Sequence, residues 1–357
     1  MTKRKNPVAR FVRYYDVFSA DGTRLRAWTN DADGPTVLLA NGLGTNPHSW
    51  PALLSPDCGV RIVSWNHRGV GGSARPADKR VDLDSYIEDA IAVMDHAGIE
   101  SASVASWSAG VTVAFELAAR FPERIDGILA VAGVPGNTYA TMLAPFKIPP
   151  VIAKQLMANL THAGKIGGTW AHPLSRNILW TSWTANLLRH SRLIRPEADT
   201  EDLRILMQEF CRTDPGWYAH LALGILRQRR ISLSGVRVPV TFLAGKHDLL
   251  TGSRDMLTAS QRIPGSRFVE LAASHFIPIE FPEQVTTELL NLVERAGKEK
   301  AARESAVANA TNVEPITKVP AKRAAAGKSA TKTATTRKLV AAEKSPASKT
   351  AANKTAG

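Results

Sequence analysis

Short runs of apolar, largely β-branched residues recur along the chain, and helix-like stretches separate several of them. The runs are Thr36–Ala40, Arg61–Trp65, Ala102–Ala105, Gly127–Val131, Val238–Ala244 and Arg267–Leu271. Ser85–Ala97 places Ile87, Ile91 and Met94 on one stripe, as an amphipathic helix does, and Val111–Arg120 is a second such stretch. Apolar strands that alternate with amphipathic helices are typical of a parallel sheet that is covered on both faces. The sequence therefore predicts an α/β fold with a mostly parallel sheet and helices on both faces.

Residues 137–235 interrupt this alternation. They contain four of the eight tryptophans, Trp170, Trp180, Trp183 and Trp217, together with Pro145, Pro149, Pro150 and Pro173. We interpret the stretch as a mostly helical insertion, which is either a second helical layer of the core or a cap over an apolar cleft. Its position between two predicted strands favours the cap. The predicted core then comprises residues 21–136 and 236–297.

Positive charge is concentrated at the two ends of the chain, whose formal net charge is +13. Residues 1–20 form a basic N-terminal segment, and residues 298–357 carry 13 Lys and Arg against four Asp and Glu. The body between them is nearly neutral, which argues against a core that binds nucleic acid. From residue 297 onward there is no aromatic residue, so we expect a disordered tail rich in Ala, Lys and Thr. That tail either binds nucleic acid or another polyanion, weakly and without sequence specificity, or is a solvated linker.

The cysteine and apolar content predict a cytoplasmic protein. Two cysteines, Cys58 and Cys211, exclude a disulfide-rich scaffold and a cysteine-based metal site. We find no signal peptide after the N-terminal basic residues, and no apolar window reaches the roughly 18 residues of a transmembrane segment.

The strongest chemical signal is the run Ser106-Trp107-Ser108-Ala109-Gly110. It follows a predicted strand and opens a predicted helix. A serine on such a sharp turn needs small residues two positions before and after it, and Ser106 and Gly110 meet that need. The turn lifts the Ser108 hydroxyl clear of the sheet.

Four further motifs follow predicted strands and complete a pattern. Asn41-Gly42-Leu43-Gly44 and Asn66-His67-Arg68-Gly69-Val70-Gly71-Gly72-Ser73 come after the first two strands. Gly245-Lys246-His247-Asp248 and Ser274-His275-Phe276 come after the last two. In this order and spacing, residues 20–295 resemble the α/β-hydrolase family, in which the catalytic residues occur in the order Ser, Asp, His.

The resemblance implies a serine triad that needs no cofactor and no metal. Ser108 is then the nucleophile, His275 the base and Asp248 its orienting acid. The backbone N–H groups of Leu43 and Ala109 form the oxyanion hole. A serine nucleophile argues against the dehalogenase and epoxide-hydrolase branches of the family.

Two positions depart from the family pattern. Asn41 replaces the histidine of the oxyanion loop, and Asn66 replaces an aspartate that has a structural role. Neither change removes a member of the triad. We expect the backbone N–H of Leu43 to remain available as a donor although Asn41 replaces the histidine.

The expected activity is hydrolysis of an ester or related acyl substrate, with a fatty-acyl or monoacylglycerol ester as the first candidate. A haloperoxidase-like enzyme, a C–C hydrolase, a thioesterase or an acyltransferase would use the same residues, and a ligand-binding protein could keep the fold without turnover. Trp50 and Trp107 either line an acyl pocket or pack in the core. Glu280 is either a second acid or the start of a C-terminal helix.

Overall fold

Eight strands form one sheet in a computed structural model that describes residues 11–142, 147–178, 180–190, 193–225 and 231–311. The strands are β1 (Arg13–Phe18), β2 (Arg24–Thr29), β3 (Thr36–Ala40), β4 (Arg61–Trp65), β5 (Ala102–Trp107), β6 (Ile125–Val131), β7 (Val240–Gly245) and β8 (Arg267–Leu271). Their order is β1-β2-β4-β3-β5-β6-β7-β8. β1 and β2 are antiparallel to their neighbours, and every other pair is parallel. The predicted mostly parallel sheet is confirmed.

Ten helices connect or extend these strands in the described ranges. They are α1 (Leu83–His96), α2 (Ala109–Arg120), α3 (Thr138–Thr141), α4 (Pro150–Ser175), α5 (Ser182–Arg189), α6 (Thr200–Cys211), α7 (Pro215–Ile225), α8 (Ser253–Ser260), α9 (Ile277–Glu280) and α10 (Pro282–Thr311). No helix in these ranges is both long and apolar enough to cross a lipid bilayer.

Two predicted boundaries are wrong, one at each end of the core. β1 belongs to the sheet, so the core begins before residue 21: the turn at Asp21 and Gly22 lets β1 pair along its whole length with β2. The stretch from residue 298 was expected to be disordered, but α10 continues to Thr311. Because its earlier turns are anchored in the core, the helix propagates into an Ala- and Lys-rich sequence of high helix propensity. The rest of the predicted tail, residues 312–357, lies outside the described residues.

Apolar side chains pack on both faces of the sheet. On one face, α1, α2 and α8 bury residues such as Met94, Phe115 and Met256. On the other face, α10 and the loop after β3 bury Leu289, Leu292 and Leu53. A sheet that is buried on both faces explains why β5 and β7 are buried at every position rather than at alternate ones.

Five helices, α3 to α7, form the insertion between β6 and β7, which we call the cap. The Trp217 indole N–H in α7 donates to the Arg68 carbonyl at 2.7 Å, so this helix is held against the core loop after β4. α4 lies one layer further out: its Gly168 packs directly on the backbone of Gly216 in α7. The cap is therefore two helical layers deep above that loop.

Candidate active site

Ser108 occupies a strained turn between β5 and α2. Its φ is 55°, a left-handed conformation that a non-glycine residue seldom adopts. The turn fits because Gly110 passes so close to β3 that a Cβ atom there would lie 2.0 Å from the Ala40 carbonyl oxygen. Ser106, which stands where the family has glycine, donates its hydroxyl to the Leu129 carbonyl at 2.8 Å and is fully buried. The Ser108 side chain remains partly exposed.

The structure brings Ser108, His275 and Asp248 together at the carboxyl edge of the sheet. The Ser108 hydroxyl lies 2.9 Å from Nε2 of His275, and Nδ1 of the same ring lies 2.8 Å from the Asp248 carboxylate. These residues follow β5, β8 and β7, which are parallel, so their carboxyl ends meet at one edge. Such a linear set of contacts can move a proton from the hydroxyl to the imidazole.

Bonds from the surrounding core hold the acid and the base in place. One carboxylate oxygen of Asp248 accepts the backbone N–H groups of Leu250 and Thr251, at 2.7 and 2.8 Å, which leaves the other oxygen for His275. The Trp107 indole N–H donates to the His275 carbonyl at 2.9 Å. His275 is thus held in place both at its backbone carbonyl and at its ring nitrogens.

The loop after β3 is braced by side chains on three sides. Asn41 donates to the Ser64 hydroxyl and the Trp65 carbonyl and accepts the Trp50 indole N–H at 3.1 Å. The amide therefore anchors the loop where the family has a histidine. Nε2 of His67 lies 3.2 Å from the Asn41 carbonyl, so that ring nitrogen carries the donated hydrogen.

His67 is neutral near pH 7 because burial disfavours its charged form. Desolvation lowers the pKa of this fully buried imidazole to about 4, although its backbone partners act in the opposite direction. Its Nδ1 has no partner within the described part of the chain. The position of His67 in the loop after β4 predicts a hydrogen-bonded side chain, but not its complete burial or its contact with Asn41.

Two backbone N–H groups lie on separate elements beside the nucleophile. Leu43 lies in the braced loop and Ala109 is the first residue of α2, and in the described ranges neither N–H has a protein acceptor. The helix N-terminus adds partial positive charge at Ala109. The loop and the turn are in close contact, since a Cβ atom at Gly42 would lie 3.3 Å from the Cβ of Ser108. The pair is suitable for binding an oxyanion.

Glu280 is neither a second acid at the triad nor the start of α10. It ends α9, and its buried carboxylate accepts the Ser274 N–H at 2.7 Å and the Ser274 hydroxyl at 2.5 Å. It also accepts the backbone N–H of Arg195, in the cap, at 2.7 Å. Glu280 therefore links the cap to the residue that precedes His275. The sequence alone did not identify the hydrogen-bond partners of Glu280, which only the folded chain shows.

The cap also contacts the oxyanion loop beside Leu43. Phe210 and Tyr218 stack with ring centroids 4.6 Å apart, and a Cβ atom at Gly44 would lie 2.2 Å from the Phe210 ring. Gly44 has a φ of +77°, so both its conformation and its surroundings require glycine. This contact places the cap against the loop that carries a predicted oxyanion donor.

Trp50 and Trp107 lie in the packed core rather than on an open cleft wall. Both side chains are buried, and their rings meet edge to face at 6.0 Å. Their indole N–H groups are already used within the protein. The prediction that they line an acyl pocket therefore gains no support from the structure, which favours the core-packing alternative. Both instead act on the site indirectly, Trp50 through Asn41 and Trp107 through His275.

A separate polar cavity of about 630 Å³ lies at the boundary between cap and core. Its walls include Asn66, Arg75, Glu209 and Asp214, but no member of the Ser108 cluster. We place the candidate active site at Ser108 because its hydroxyl, the His275 imidazole and the Asp248 carboxylate are in contact there. In the described ranges, no cluster of three or more His, Cys, Asp or Glu side chains could hold a metal ion.

Comparison with known proteins gives the same fold. The family model described as alpha/beta hydrolase fold matches residues 35–161. The enol-lactonase from Burkholderia xenovorans superposes with a TM-score of 0.58 and 22% identity, covering 79% of this chain and all of that one. An esterase from Exiguobacterium antarcticum gives a TM-score of 0.61 at 14% identity, with the same coverage of both chains. At these identities the structural likeness establishes the fold alone.

Two curated relatives differ in how much of their length is matched. 3-Oxoadipate enol-lactonase 2 of Acinetobacter baylyi is 24% identical over 273 residues, which cover 76% of this chain and 93% of the relative. Epoxide hydrolase B of Mycobacterium tuberculosis is 29% identical over 140 residues, which cover 34% of this chain and 39% of the relative. The chain thus spans about two fifths of the epoxide hydrolase and nearly all of the lactonase.

Proposed function

Because the chain belongs to the α/β-hydrolase fold family, we propose that it is a serine hydrolase that cleaves an ester or a related acyl bond through an acyl-enzyme on Ser108. The observation that carries the proposal is the continuous contact from the Ser108 hydroxyl through His275 to Asp248. A relative named as an enol-lactonase, of which 93% is matched, supports chemistry at an acyl carbon.

The proposed reaction begins with attack of the Ser108 oxygen on the carbonyl carbon while Nε2 of His275 takes the hydroxyl proton. The carbonyl oxygen becomes an oxyanion that accepts the N–H groups of Leu43 and Ala109. His275 then returns the proton to the leaving alcohol, and the acyl-enzyme remains on Ser108. Water, activated by the same imidazole, attacks the acyl carbon and releases the acid. Asp248 keeps the ring in the required tautomer and stabilises its charged form throughout.

For the substrate we propose a lipophilic ester, of the fatty-acyl or monoacylglycerol kind. Leu43 and Phe276, which are both partly exposed and apolar, stand beside the nucleophile and the base, and the rings of Phe276 and His275 lie 6.0 Å apart. An apolar acyl chain would cover these side chains and exclude water from the developing charge.

Epoxide hydrolysis receives less support than acyl hydrolysis. The epoxide hydrolase matches only a third of this chain, and the residue on the strained turn is Ser108 rather than an aspartate. Thioesterase, acyltransferase, C–C hydrolase and haloperoxidase-like reactions use the same triad, so they remain alternatives that a substrate panel separates from ester hydrolysis. A non-catalytic binding protein would have no need for the strained serine.

The direct test is labelling with a fluorophosphonate probe, combined with turnover of p-nitrophenyl esters of increasing acyl length. The native chain should be labelled once, and Ser108→Ala should lose both labelling and about 10⁴-fold in turnover, as serine triads do. Retention of most of the turnover by Ser108→Ala would show that Ser108 is not the nucleophile.

Ser106→Ala is the matched control, since it removes a hydroxyl two residues away that points into the core. This variant loses one buried hydrogen bond, worth about 1 kcal/mol, and should still be labelled. If both serine variants lost labelling while remaining folded, the effect would reflect a distorted turn rather than a missing nucleophile.

Two further parts of the proposal rest on composition. Residues 312–357 lie outside the described ranges, so weak polyanion binding by the basic tail stays a prediction from its charge. We also propose a reducing, cytoplasmic location, because Cys58 and Cys211 are both free thiols.

A further inference from the structure

A tight turn carries the proposed oxyanion donor at Leu43. The backbone N–H of Thr45 donates to the Gly42 carbonyl at 3.3 Å, which closes a four-residue β-turn over residues 42–45. Gly44, the third residue of the turn, has a φ of +77°, which is typical of a type II turn. Leu43 is the second residue, so its N–H takes no part in closing the turn and remains available to a ligand.

The side chain of Thr45 adds a second bond to the same carbonyl. Its hydroxyl donates to the Gly42 oxygen at 2.9 Å, a shorter distance than that of the backbone bond. The residue is 6% exposed, so water has little access to this bond. The methyl group packs on the same residue, since a Cβ atom at Gly42 would lie 3.3 Å from Cγ2 of Thr45. Thr45 thus holds the Gly42 carbonyl in one direction.

The direction of that carbonyl determines the direction of the Leu43 N–H. The two groups belong to one peptide unit, which is planar and trans, so they point in opposite directions. This peptide lies beside the nucleophile, because a Cβ atom at Gly42 would lie 3.3 Å from the Cβ of Ser108. A rotation of the peptide would therefore turn the donor away from the reacting carbonyl even if the rest of the loop stayed in place.

We propose that Thr45 is a positioning residue for the oxyanion hole, whose hydroxyl holds the peptide between Gly42 and Leu43 so that the Leu43 N–H points at the oxyanion. The inference rests on the proposed serine hydrolysis and adds to it a residue that acts on the transition state. A donor that is already oriented needs no reorganisation when negative charge develops on the substrate. The second hydrogen bond to the Gly42 carbonyl supplies part of that orientation.

The loop on either side of the turn is anchored without the Thr45 hydroxyl. Before the turn, the Asn41 amide forms three hydrogen bonds with the core. After the turn, the Asn46 N–H donates to the Ser49 hydroxyl at 3.1 Å. Neither anchor involves the Gly42 carbonyl. Removal of the hydroxyl should therefore loosen one peptide while both ends of the loop keep their places.

Two weaker restraints on the peptide limit the size of the expected effect. The backbone N–H of Thr45 still closes the turn when the hydroxyl is removed. The buried His67 ring also interacts with the Gly42 carbonyl, which acts to raise the pKa of the ring against the effect of burial. The peptide should thus become less well oriented rather than freely rotating.

The test is Thr45→Val, which keeps the shape of the side chain and removes its hydroxyl. On the ester that the native chain cleaves fastest, we expect kcat to fall about tenfold, which is less than the roughly 10²–10³-fold loss that follows removal of an oxyanion donor. KM should change by less than about twofold, because the donor is used in the transition state rather than in substrate binding. The midpoint of the pH profile should not move, since the hydroxyl does not contact His275.

A transition-state analogue separates orientation of the donor from a general loss of stability. Phenylboronic acid forms a tetrahedral adduct with a serine oxygen, and its affinity for Thr45→Val should fall by about the same factor as kcat. Thr45→Ser, which keeps the hydroxyl, should restore most of both values. Thr141→Val is the matched control: in α3 of the cap, its buried hydroxyl donates to the Thr138 carbonyl, also at 2.9 Å and three residues earlier. This control should retain native kcat and native affinity for the boronic acid.

The outcomes distinguish this inference from the proposed function. A native kcat in Thr45→Val, or an equal loss in Thr141→Val, overturns the role of Thr45 and leaves the triad in place. A raised KM with native kcat also overturns it, because the hydroxyl would then act on substrate binding. If the native chain shows neither fluorophosphonate labelling nor turnover of any ester, the proposed function fails and this inference fails with it.

Discussion

Helices α2 and α4 are both rich in apolar residues, yet the fold gives them opposite surroundings. α2 buries nine of its twelve residues, whereas α4, at 26 residues, buries Ala153 and Ala158. The difference follows from position: α2 continues β5 at the centre of the sheet, and α4 packs on α7, one layer outside the core. Apolar content alone therefore does not decide burial. In the core, tight packing holds the Ser108, His275 and Asp248 side chains together, while the outer cap leaves apolar side chains exposed.

The strongest test of this difference changes the core. In Asp248→Asn, the backbone N–H groups of Leu250 and Thr251 hold the amide oxygen, so the NH2 group faces Nδ1 of His275 and favours the wrong tautomer. We therefore expect turnover to fall about 10⁴-fold. The protein should remain folded, since the side-chain volume is unchanged. Steady-state kinetics on the best ester, with thermal unfolding in parallel, check both points. Asp57→Asn, at an exposed carboxylate, should leave turnover unchanged; a tenfold loss or less for Asp248→Asn would remove Asp248 from the proposed triad.

Glu280→Gln tests the link between the two regions. The glutamine amide would face N–H donors at a buried site built for a carboxylate, and we expect a loss of about 2–3 kcal/mol in the free energy of unfolding. The turnover number should fall as well, because Ser274 holds the backbone beside His275. Glu283→Gln, at an exposed glutamate three residues later, should change stability by less than about 1 kcal/mol. Equal effects of the two substitutions would mean that Glu280 does not position the site.

The burial of His67 makes the free energy of unfolding decrease as the pH falls. Its pKa is about 4 in the folded chain and about 6.5 in the unfolded chain, so the unfolded chain binds more protons between these values. Stability from this group is present above pH 6.5 and decreases as the pH falls, by about 2 kcal/mol between pH 7 and pH 5. Urea unfolding at the two pH values should show this loss in the native chain and a smaller one in His67→Gln, which keeps a donor for Asn41. Identical losses in both proteins would exclude His67 as the source.

The smallest expected effect is at α4. Leu174→Ala should change the free energy of unfolding by less than about 0.5 kcal/mol, since that side chain is exposed. The same substitution at the buried Leu117 in α2 should destabilise by about 2–5 kcal/mol. Chemical denaturation of both variants compares the two helices directly. A large loss at Leu174 would mean that this side of α4 is covered within the protein.

The sequence by itself determined the six parallel strands of the sheet, the position of the serine turn and the order of the candidate triad. These features are encoded locally: β-branched runs form strands, small residues permit the sharp turn, and parallel strands end at one edge. The first two strands were missed, although residues 13–29 contain the Asp-Gly turn signal of a hairpin, because their mixed polar pattern differs from that of the buried strands.

Only the tertiary structure decided which polar groups hold the site together. Asn41, His67 and Glu280 act through partners that are distant in sequence, such as Trp65 for Asn41 and Arg195 for Glu280. Their hydrogen bonds depend on burial and on close approach of separate segments, and neither is encoded in local spacing. The exposure of α4 was decided in the same way, because whether an apolar helix is covered depends on which layer it occupies. The residues of the candidate site could thus be predicted from the chain, whereas the bonds that position them and the surface beside them required the fold.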